Sequence, residues 1–460
     1  MFNKIRAKIK TKTEKVNFND CLAVFMIVCI GILFTLYFKI KNSMNFLNLD
    51  ELLWMYRSRF FIDGISNLDF SNLIQSSHPG IMVMWAVGPF MKIINYDFNL
   101  IVNLINELNS SGIGYNIINS TEYNQQIYHN HRSISILFNI PIITIVISFV
   151  LSLYYLLKKL LFNKWQIAFS LILVVTTPYY IYFTTPTDKF VGMFSVVSIL
   201  CLLIYLSKKG GKLFFIASAI FASFAVLSKM SALFLLPYVL FVIVFYSKIL
   251  NIFLNRNGSS LKLNNIVVET KYILKLYFSY IAIFIVTSVV FLPTILSDPR
   301  SILALFVRES SQRIITENQN SFVCVSVSYA YLTDNFLLSF NIFVMIIFLV
   351  FFFLILKKIR DKIYIEKEII VLFVYFISFF AFIVMFSKTY SFRYLVPILI
   401  IFQIISGIGI YELINSFIEK NKIKDKKVIY YWAIACILIS QVLLIYYSEI
   451  EHIENLPSFY

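Results

Sequence analysis

The sequence predicts an all-α protein that crosses a membrane many times, on the evidence of its composition and of its long apolar runs. Hydrophobic residues make up 59% of the chain and charged residues only 14%, against about a quarter charged in average soluble proteins. The mean hydropathy is +0.80. A soluble core cannot hide this much apolar surface, whereas a bilayer accepts it. The 48 Phe and 29 Tyr suit lipid-facing helices that end in aromatic belts.

About eleven apolar runs are long enough to form spanning helices, which need roughly 20 mostly apolar residues each. Their approximate limits are 20–39, 133–157, 165–183, 190–207, 212–228, 231–249, 274–296, 336–357, 367–386, 394–413 and 428–447. The run 81–94 is too short to span comfortably and contains Gly88 and Pro89. We expect this run to lie along the membrane surface.

Loop charge predicts the orientation. With the N-terminus inside, every predicted inner segment carries more Lys and Arg than Asp and Glu, as the positive-inside rule requires. The basic N-terminal segment followed by an apolar run without a small-residue cleavage site indicates an uncleaved signal anchor. The net charge of +16 lies in the gaps between spans and not on a soluble domain, which argues against nucleic-acid binding.

These spans predict one transmembrane domain over 1–447, with a short outer tail at 448–460. Two outer segments are long, 40–132 and 297–336, whereas the inner gaps are short. Long polar loops on a rigid scaffold are usually functional, so any chemistry is expected on the outer face.

The first loop begins with two features that could take part in such chemistry. Asp50 and Glu51 precede a run of mixed aromatic and basic residues that includes Arg57. This pattern predicts a helix on the outer leaflet with its acids at the N-terminal end, where the helix dipole favours them. His78 lies in the segment Ser-Ser-His-Pro-Gly that opens the short apolar run; both a structural and a functional role remain open for it.

Five further charged or aromatic positions lie at predicted outer ends of spans. Asp188 follows a Thr-Thr-Pro-Thr turn, where it could act in the site or cap the next helix. Lys229 is isolated among apolar residues and needs a partner, for which a phosphate is a candidate and snorkelling to the interface the alternative. Lys388 and Arg393 accompany Tyr394 before another span. Cations beside carboxylates at headgroup level suit a lipid phosphate with an acid near the reacting carbon.

The order of these motifs resembles that of the GT-C membrane glycosyltransferases, in the branch of the protein O-mannosyltransferases and lipid A aminoarabinose transferases. The resemblance covers roughly residues 20–410 through short motifs. Asp50-Glu51 resembles the first-loop Asp-Glu of the family. His78-Pro79-Gly80 resembles its His-Pro-Pro, with Gly80 in place of the second Pro. The remaining matches are Asp188, Lys229 and the segment from Arg393-Tyr394 to Pro397.

The resemblance implies a GT-C-like fold and an enzyme that takes a sugar from polyprenyl phosphate on the non-cytoplasmic face. It implies inverting transfer to a hydroxyl of a glycan, lipid or protein acceptor. Asp50, Glu51 and Asp188 are the expected catalytic carboxylates, with Asp50 the expected base. The expected donor-phosphate ligands are Arg57, His78, Lys229, Lys388, Arg393 and Tyr394.

Several points remain open at this stage. No resident metal is assigned, although Asp50 and Glu51 could hold a divalent ion. The alternatives are an O-antigen-type polysaccharide polymerase and a transporter or flippase of lipid-linked sugars. A larger first loop favours the transferase over the polymerase, and the lack of internal repeats argues against the transporter. Residue usage suggests a bacterial cytoplasmic membrane.

Overall fold

The computed structural model describes residues 49–73, 80–97, 99, 121–160, 163–176, 186–247, 263–297, 300, 342–361, 363, 365–386, 395–423 and 425–454. Within these ranges the regular structure is entirely helical, and no strand occurs. A helix suits a membrane-spanning segment, because it satisfies its backbone hydrogen bonds internally.

Thirteen α-helices lie in these ranges. The first six are α1 (Leu49–Ser66), α2 (Ile81–Ile93), α3 (Thr121–Lys159), α4 (Lys164–Thr176), α5 (Pro186–Leu206) and α6 (Lys212–Ser228). The others are α7 (Leu235–Tyr246), α8 (Leu263–Phe291), α9 (Thr294–Ser297), α10 (Ile342–Arg360), α11 (Lys367–Phe386), α12 (Val396–Lys420) and α13 (Lys426–Glu454). Two 3-10 turns, Phe70–Leu73 and Met230–Phe234, follow α1 and α6.

The helices other than α1 overlap apolar runs that the sequence singles out. The predicted span 367–386 coincides with α11, and the surface run 81–94 is the helix α2. Among the described residues, four helical segments are long and apolar enough to cross a membrane: Leu137–Lys159, Pro186–Leu206, Val267–Phe291 and Pro397–Lys420. The total of eleven spans therefore stays a prediction, and the first predicted span, 20–39, lies outside the described residues.

The core of the bundle is built around α5 and α12. The two helices pack against each other, α5 also contacts α3, α6 and α7, and α12 also contacts α4, α10 and α11. Small residues allow the closest approach. A side chain on Gly407 would lie 2.4 Å from the backbone nitrogen of Ser170 in α4, and the Ser170 hydroxyl donates to the Ile404 carbonyl. This is the small-residue packing typical of membrane helices.

Hydrogen bonds between buried side chains join α5 to α6 and α8. The Ser198 hydroxyl of α5 lies 3.3 Å from that of Ser218 in α6 and 3.1 Å from the Tyr280 hydroxyl in α8. All three residues are fully buried. Interhelical hydrogen bonds of this kind contribute roughly 0.6–2 kcal/mol each inside a membrane bundle. They hold α5, α6 and α8 in register.

The first-loop helices α1 and α2 form a pair at one end of the bundle. They run side by side in the same direction, since Trp54 packs on Gly80, and Ile62, further along α1, packs on Gly88. Two bonds join the pair to the end of α8 and to α9. The Trp85 indole donates to the Phe291 carbonyl at 3.0 Å, and the Thr294 hydroxyl donates to the Phe70 carbonyl at 2.9 Å. The first loop is thereby anchored to the bundle.

Candidate functional site

A buried ion pair lies at the end of the bundle that the α1–α2 pair covers, which we call the site end. The Lys229 ammonium donates to Asp188 Oδ1 at 2.6 Å. Only 9% of the lysine side chain and 2% of the aspartate side chain are exposed. The two residues are 41 positions apart in the chain, so two of the charges singled out in the sequence meet directly.

Lys229 occupies a break in the helical path. The helix α6 ends at Ser228, Lys229 is extended with φ −161 and ψ 135, and the 3-10 turn Met230–Phe234 follows. Its backbone amide donates to Ala225, and its carbonyl accepts from Ala232. The break is therefore satisfied on both sides, and the ammonium is held at a fixed joint between two short apolar helices.

Asp188 lies in the first turn of α5. The helix begins at Pro186, a residue type that favours the first helical position. Asp188 is thus inside the helix and not the N-cap residue that the sequence left open. In the first turn its carboxylate benefits from the positive end of the helix dipole. The Lys229 ammonium therefore places a second positive charge beside this buried carboxylate.

Lys189, the next residue of α5, is a further buried cation and is 4% exposed. It directly follows Asp188 in the sequence, and no role was predicted for it. Two adjacent charges mark the start of this otherwise apolar helix, but the burial of Lys189 depends on the helices packed around α5. The described part of this end therefore holds two buried lysines and one buried aspartate, a composition suited to an anion.

Gly80 joins the His-Pro-Gly motif to the same break. Its amide donates to the Ser228 carbonyl at 3.3 Å. Its φ of 46 lies in the left-handed region, and a Cβ there would lie 1.9 Å from the Trp54 ring. A proline could neither adopt this φ nor donate the bond. The replacement of the second Pro of the family motif by glycine is thus a requirement of the local structure.

The start of α1 lies at the site end. Trp54 is buried against Gly80, and the Arg57 guanidinium lies 4.9 Å from the centre of the Trp54 ring. Asp50 and Glu51 fall in the first turn of the same helix, one turn before Trp54, which agrees with the predicted helix. Their side chains are outside the described part of the structure. His78, Lys388, Arg393 and Tyr394 lie outside the described residues altogether.

The described side chains of this end form no metal centre. Within the ranges that the structure describes, no group of three or more His, Cys, Asp or Glu side chains could hold a metal ion. Asp50 and Glu51, the pair named for a divalent ion, are not among the side chains described. Their possible metal stays a prediction.

Comparison with known families adds one finding to this geometry. Residues 126–260 match the family of dolichyl-phosphate-mannose-protein mannosyltransferases. The matched stretch is less than a third of the chain, but it contains both Asp188 and Lys229. It supports a membrane glycosyltransferase of the GT-C superfamily. Neither the curated proteins nor the solved structures give a significant match.

Proposed function

We propose that this chain transfers a sugar from a polyprenyl-phosphate donor to an acceptor hydroxyl at the site end. The observation that carries the proposal is the buried Asp188–Lys229 pair inside the stretch that matches the mannosyltransferase family. Trp54 and Gly80, from the two first-loop motifs, pack beside the same break. The family description favours mannose as the sugar.

The donor phosphate is assigned to the cations of the site end. Lys189 and Lys229 are buried there, and Asp188 holds the Lys229 ammonium in place. We expect Arg57, His78, Lys388, Arg393 and Tyr394 to complete the phosphate site, with Lys229 and Arg393 on one phosphate from distant parts of the chain. Each charge-assisted bond to phosphate contributes about 1.5–3 kcal/mol.

The reaction is a single displacement. The acceptor oxygen forms a bond to the anomeric carbon while the bond from that carbon to the phosphate oxygen breaks, and its electron pair stays on the phosphate. The acceptor proton passes to the Asp50 carboxylate. The leaving phosphate is a weak base, so buried cations that stabilise its negative charge assist it more than a proton donor would. The product sugar is inverted.

The proposed face of action is the non-cytoplasmic one. The end of the bundle opposite the site carries the basic helix ends Lys158–Lys159, Lys208–Lys212 and Lys357–Arg360. We call it the basic end. The positive-inside rule assigns such an end to the cytoplasm, which leaves the site end outside.

The test is transfer by the purified protein in lipid nanodiscs, with polyprenyl-phosphate mannose as donor and free polyprenyl phosphate as the measured product. The wild type should release polyprenyl phosphate in the presence of a hydroxyl acceptor, and Asp50→Asn should lower the rate at least a hundredfold, in the range of general-base catalysis. The control is Asp97→Asn, an exposed carboxylate elsewhere in the first loop. Near-normal turnover by Asp50→Asn would remove the assigned base. Donor movement across the bilayer of sealed proteoliposomes, without cleavage, would indicate a transporter.

A further inference from the structure

A cavity of about 300 Å³ lies between the second half of α1 and the second half of α2. Its floor is apolar, formed in part by Ile62 and Met91, and its rim is polar, with Arg59, Asp63, Lys92 and Tyr96. Asp63 is nine residues beyond Trp54 on α1, or about 13.5 Å at 1.5 Å per residue. Neither Asp188 nor Lys229 lines the cavity, so it is distinct from their ion pair.

The rim carries charges of both signs at fixed positions. The Arg59 guanidinium donates to the Asp63 carboxylate at 3.0 Å, one helical turn away. The Lys92 ammonium donates to the Ser66 hydroxyl at 2.7 Å. A hydroxyl fixes the direction of this ammonium without neutralising its charge. Partial burial and then the neighbouring Asp97 raise the pKa of Tyr96, so its phenol stays a hydrogen-bond donor.

Large aliphatic side chains flank this charged rim and face outward. Leu68, two residues after Ser66, is 75% exposed, and Ile93, next to Lys92, is 79% exposed. Leu68 also has φ 57, a left-handed position just after a helix that glycine usually occupies. Exposed aliphatic residues beside cations and an aromatic tip are typical of helices that lie in the membrane interface.

We propose that this cavity binds the headgroup of a phospholipid that carries both a phosphate and a primary ammonium, as phosphatidylethanolamine does. This class of lipid is chosen because the rim presents charges of both signs. Lys92 and Arg59 bind the phosphate, and the half-exposed Asp63 carboxylate accepts from the ammonium. The acyl chains lie along Leu68 and Ile93. A bound lipid would fix the far ends of α1 and α2, whose near ends hold Trp54 and Gly80 at the site end.

The experiment is native mass spectrometry of the purified chain after titration with phosphatidylethanolamine, phosphatidylglycerol or phosphatidylcholine. The wild type should retain one phosphatidylethanolamine at least tenfold more strongly than either other lipid. Lys92→Gln should lower retention of phosphatidylethanolamine and phosphatidylglycerol alike, about tenfold. Asp63→Asn should remove only the preference for phosphatidylethanolamine, because it leaves the phosphate contacts in place.

Arg300→Gln, at another exposed cation, is the matched control and should retain the lipid as the wild type does. Melting temperatures report whether each variant is folded, and a misfolded Lys92→Gln is replaced by Lys92→Met, which keeps the aliphatic stem. Equal retention of all three lipids, or unchanged selectivity in Asp63→Asn, overturns the proposal. Displacement of the lipid by polyprenyl phosphate would also overturn it and would assign the cavity to the donor. Both readouts are independent of transfer activity, so they separate this proposal from the proposed function.

Discussion

A lysine–carboxylate pair lies near each end of α5, and the two pairs differ in their surroundings. At the site end, Asp188 and Lys229 are 2.6 Å apart, with 2% and 9% of their side chains exposed. At the basic end, Lys209 and Glu368 are 3.0 Å apart, with 27% and 11% exposed. The Ser207 hydroxyl also donates to Glu368, and Lys209 also donates to the Leu160 carbonyl. The basic-end pair thus ties α3, α5 and α11 together, with its lysine partly exposed.

This difference indicates a structural role for the basic-end pair and a functional role for the site-end pair. A partly hydrated pair recovers little more than the modest energy of a surface ion pair. A sealed pair loses much more hydration, and an apolar replacement of similar volume often stabilises a protein as well or better. Stability alone therefore explains Lys209–Glu368 better than it explains Asp188–Lys229, and the additional buried cation Lys189 strengthens the contrast.

The largest effect is expected from breaking the site-end pair. Lys229→Met leaves the buried Asp188 carboxylate without its lysine and should destabilise the protein by about 3–5 kcal/mol. Thermal unfolding in detergent measures this loss, and the transfer assay should show no activity. The double variant Asp188→Leu/Lys229→Met removes both charges and should recover most of the stability while remaining inactive. Recovery of transfer in the double variant would reduce the pair to a structural role.

A smaller but still clear effect is expected at the contact between the two first-loop motifs. Gly80→Ala adds a Cβ that would lie 1.9 Å from the Trp54 ring, at a φ of 46. Strain of this kind costs about 1–3 kcal/mol, and displacement of Trp54 should lower transfer at least tenfold. Gly211→Ala, where nothing lies within 4 Å of the added atom, is the control for thermal unfolding and for transfer. If the two variants behave alike, the packing of Trp54 on Gly80 is not needed for the site.

The smallest effect is expected at the basic end. Glu368→Gln removes the charge and keeps an acceptor for the Ser207 hydroxyl, so the loss of stability should be about 1 kcal/mol or less. Transfer should stay close to the wild-type rate. The matched substitution Asp188→Asn should abolish transfer under the same conditions. Strong inactivation by Glu368→Gln would show that both ends of α5 contribute to the reaction and that the contrast between them is wrong.

The sequence predicted the helices of this protein better than it predicted their contacts. Apolar runs located α2, α6 and α11 almost to the residue, because length and hydropathy alone decide which segments a bilayer accepts. The prediction that Lys229 needs a partner is confirmed, but that partner in the structure is Asp188. The expected contact of Lys229 with a phosphate stays a prediction. Pairing across 41 residues depends on how α5 packs against α6, which no local pattern encodes.

Two other features could not be predicted from the local sequence, for similar reasons. Lys189 was overlooked since adjacent charges at a helix start ordinarily face solvent, and only packing of several helices around α5 buries this one. From the sequence, Gly80 was interpreted as a departure from the family motif. Its meaning depends on Trp54 and on the Ser228 carbonyl, both of which are distant in the chain.

The hairpin of α5 and α6 also bears on how the chain enters the membrane during synthesis. The two helices meet at a tight turn that contains Lys208 and Lys209, and their far tips carry Asp188 and Lys229. An unpaired charge within an inserting helix is unfavourable by roughly 2.5–3.5 kcal/mol at the centre of the bilayer. If the two helices leave the translocon together, the aspartate and lysine cross as a neutral pair. The contact that forms the proposed site would then already exist while the later helices are still being made.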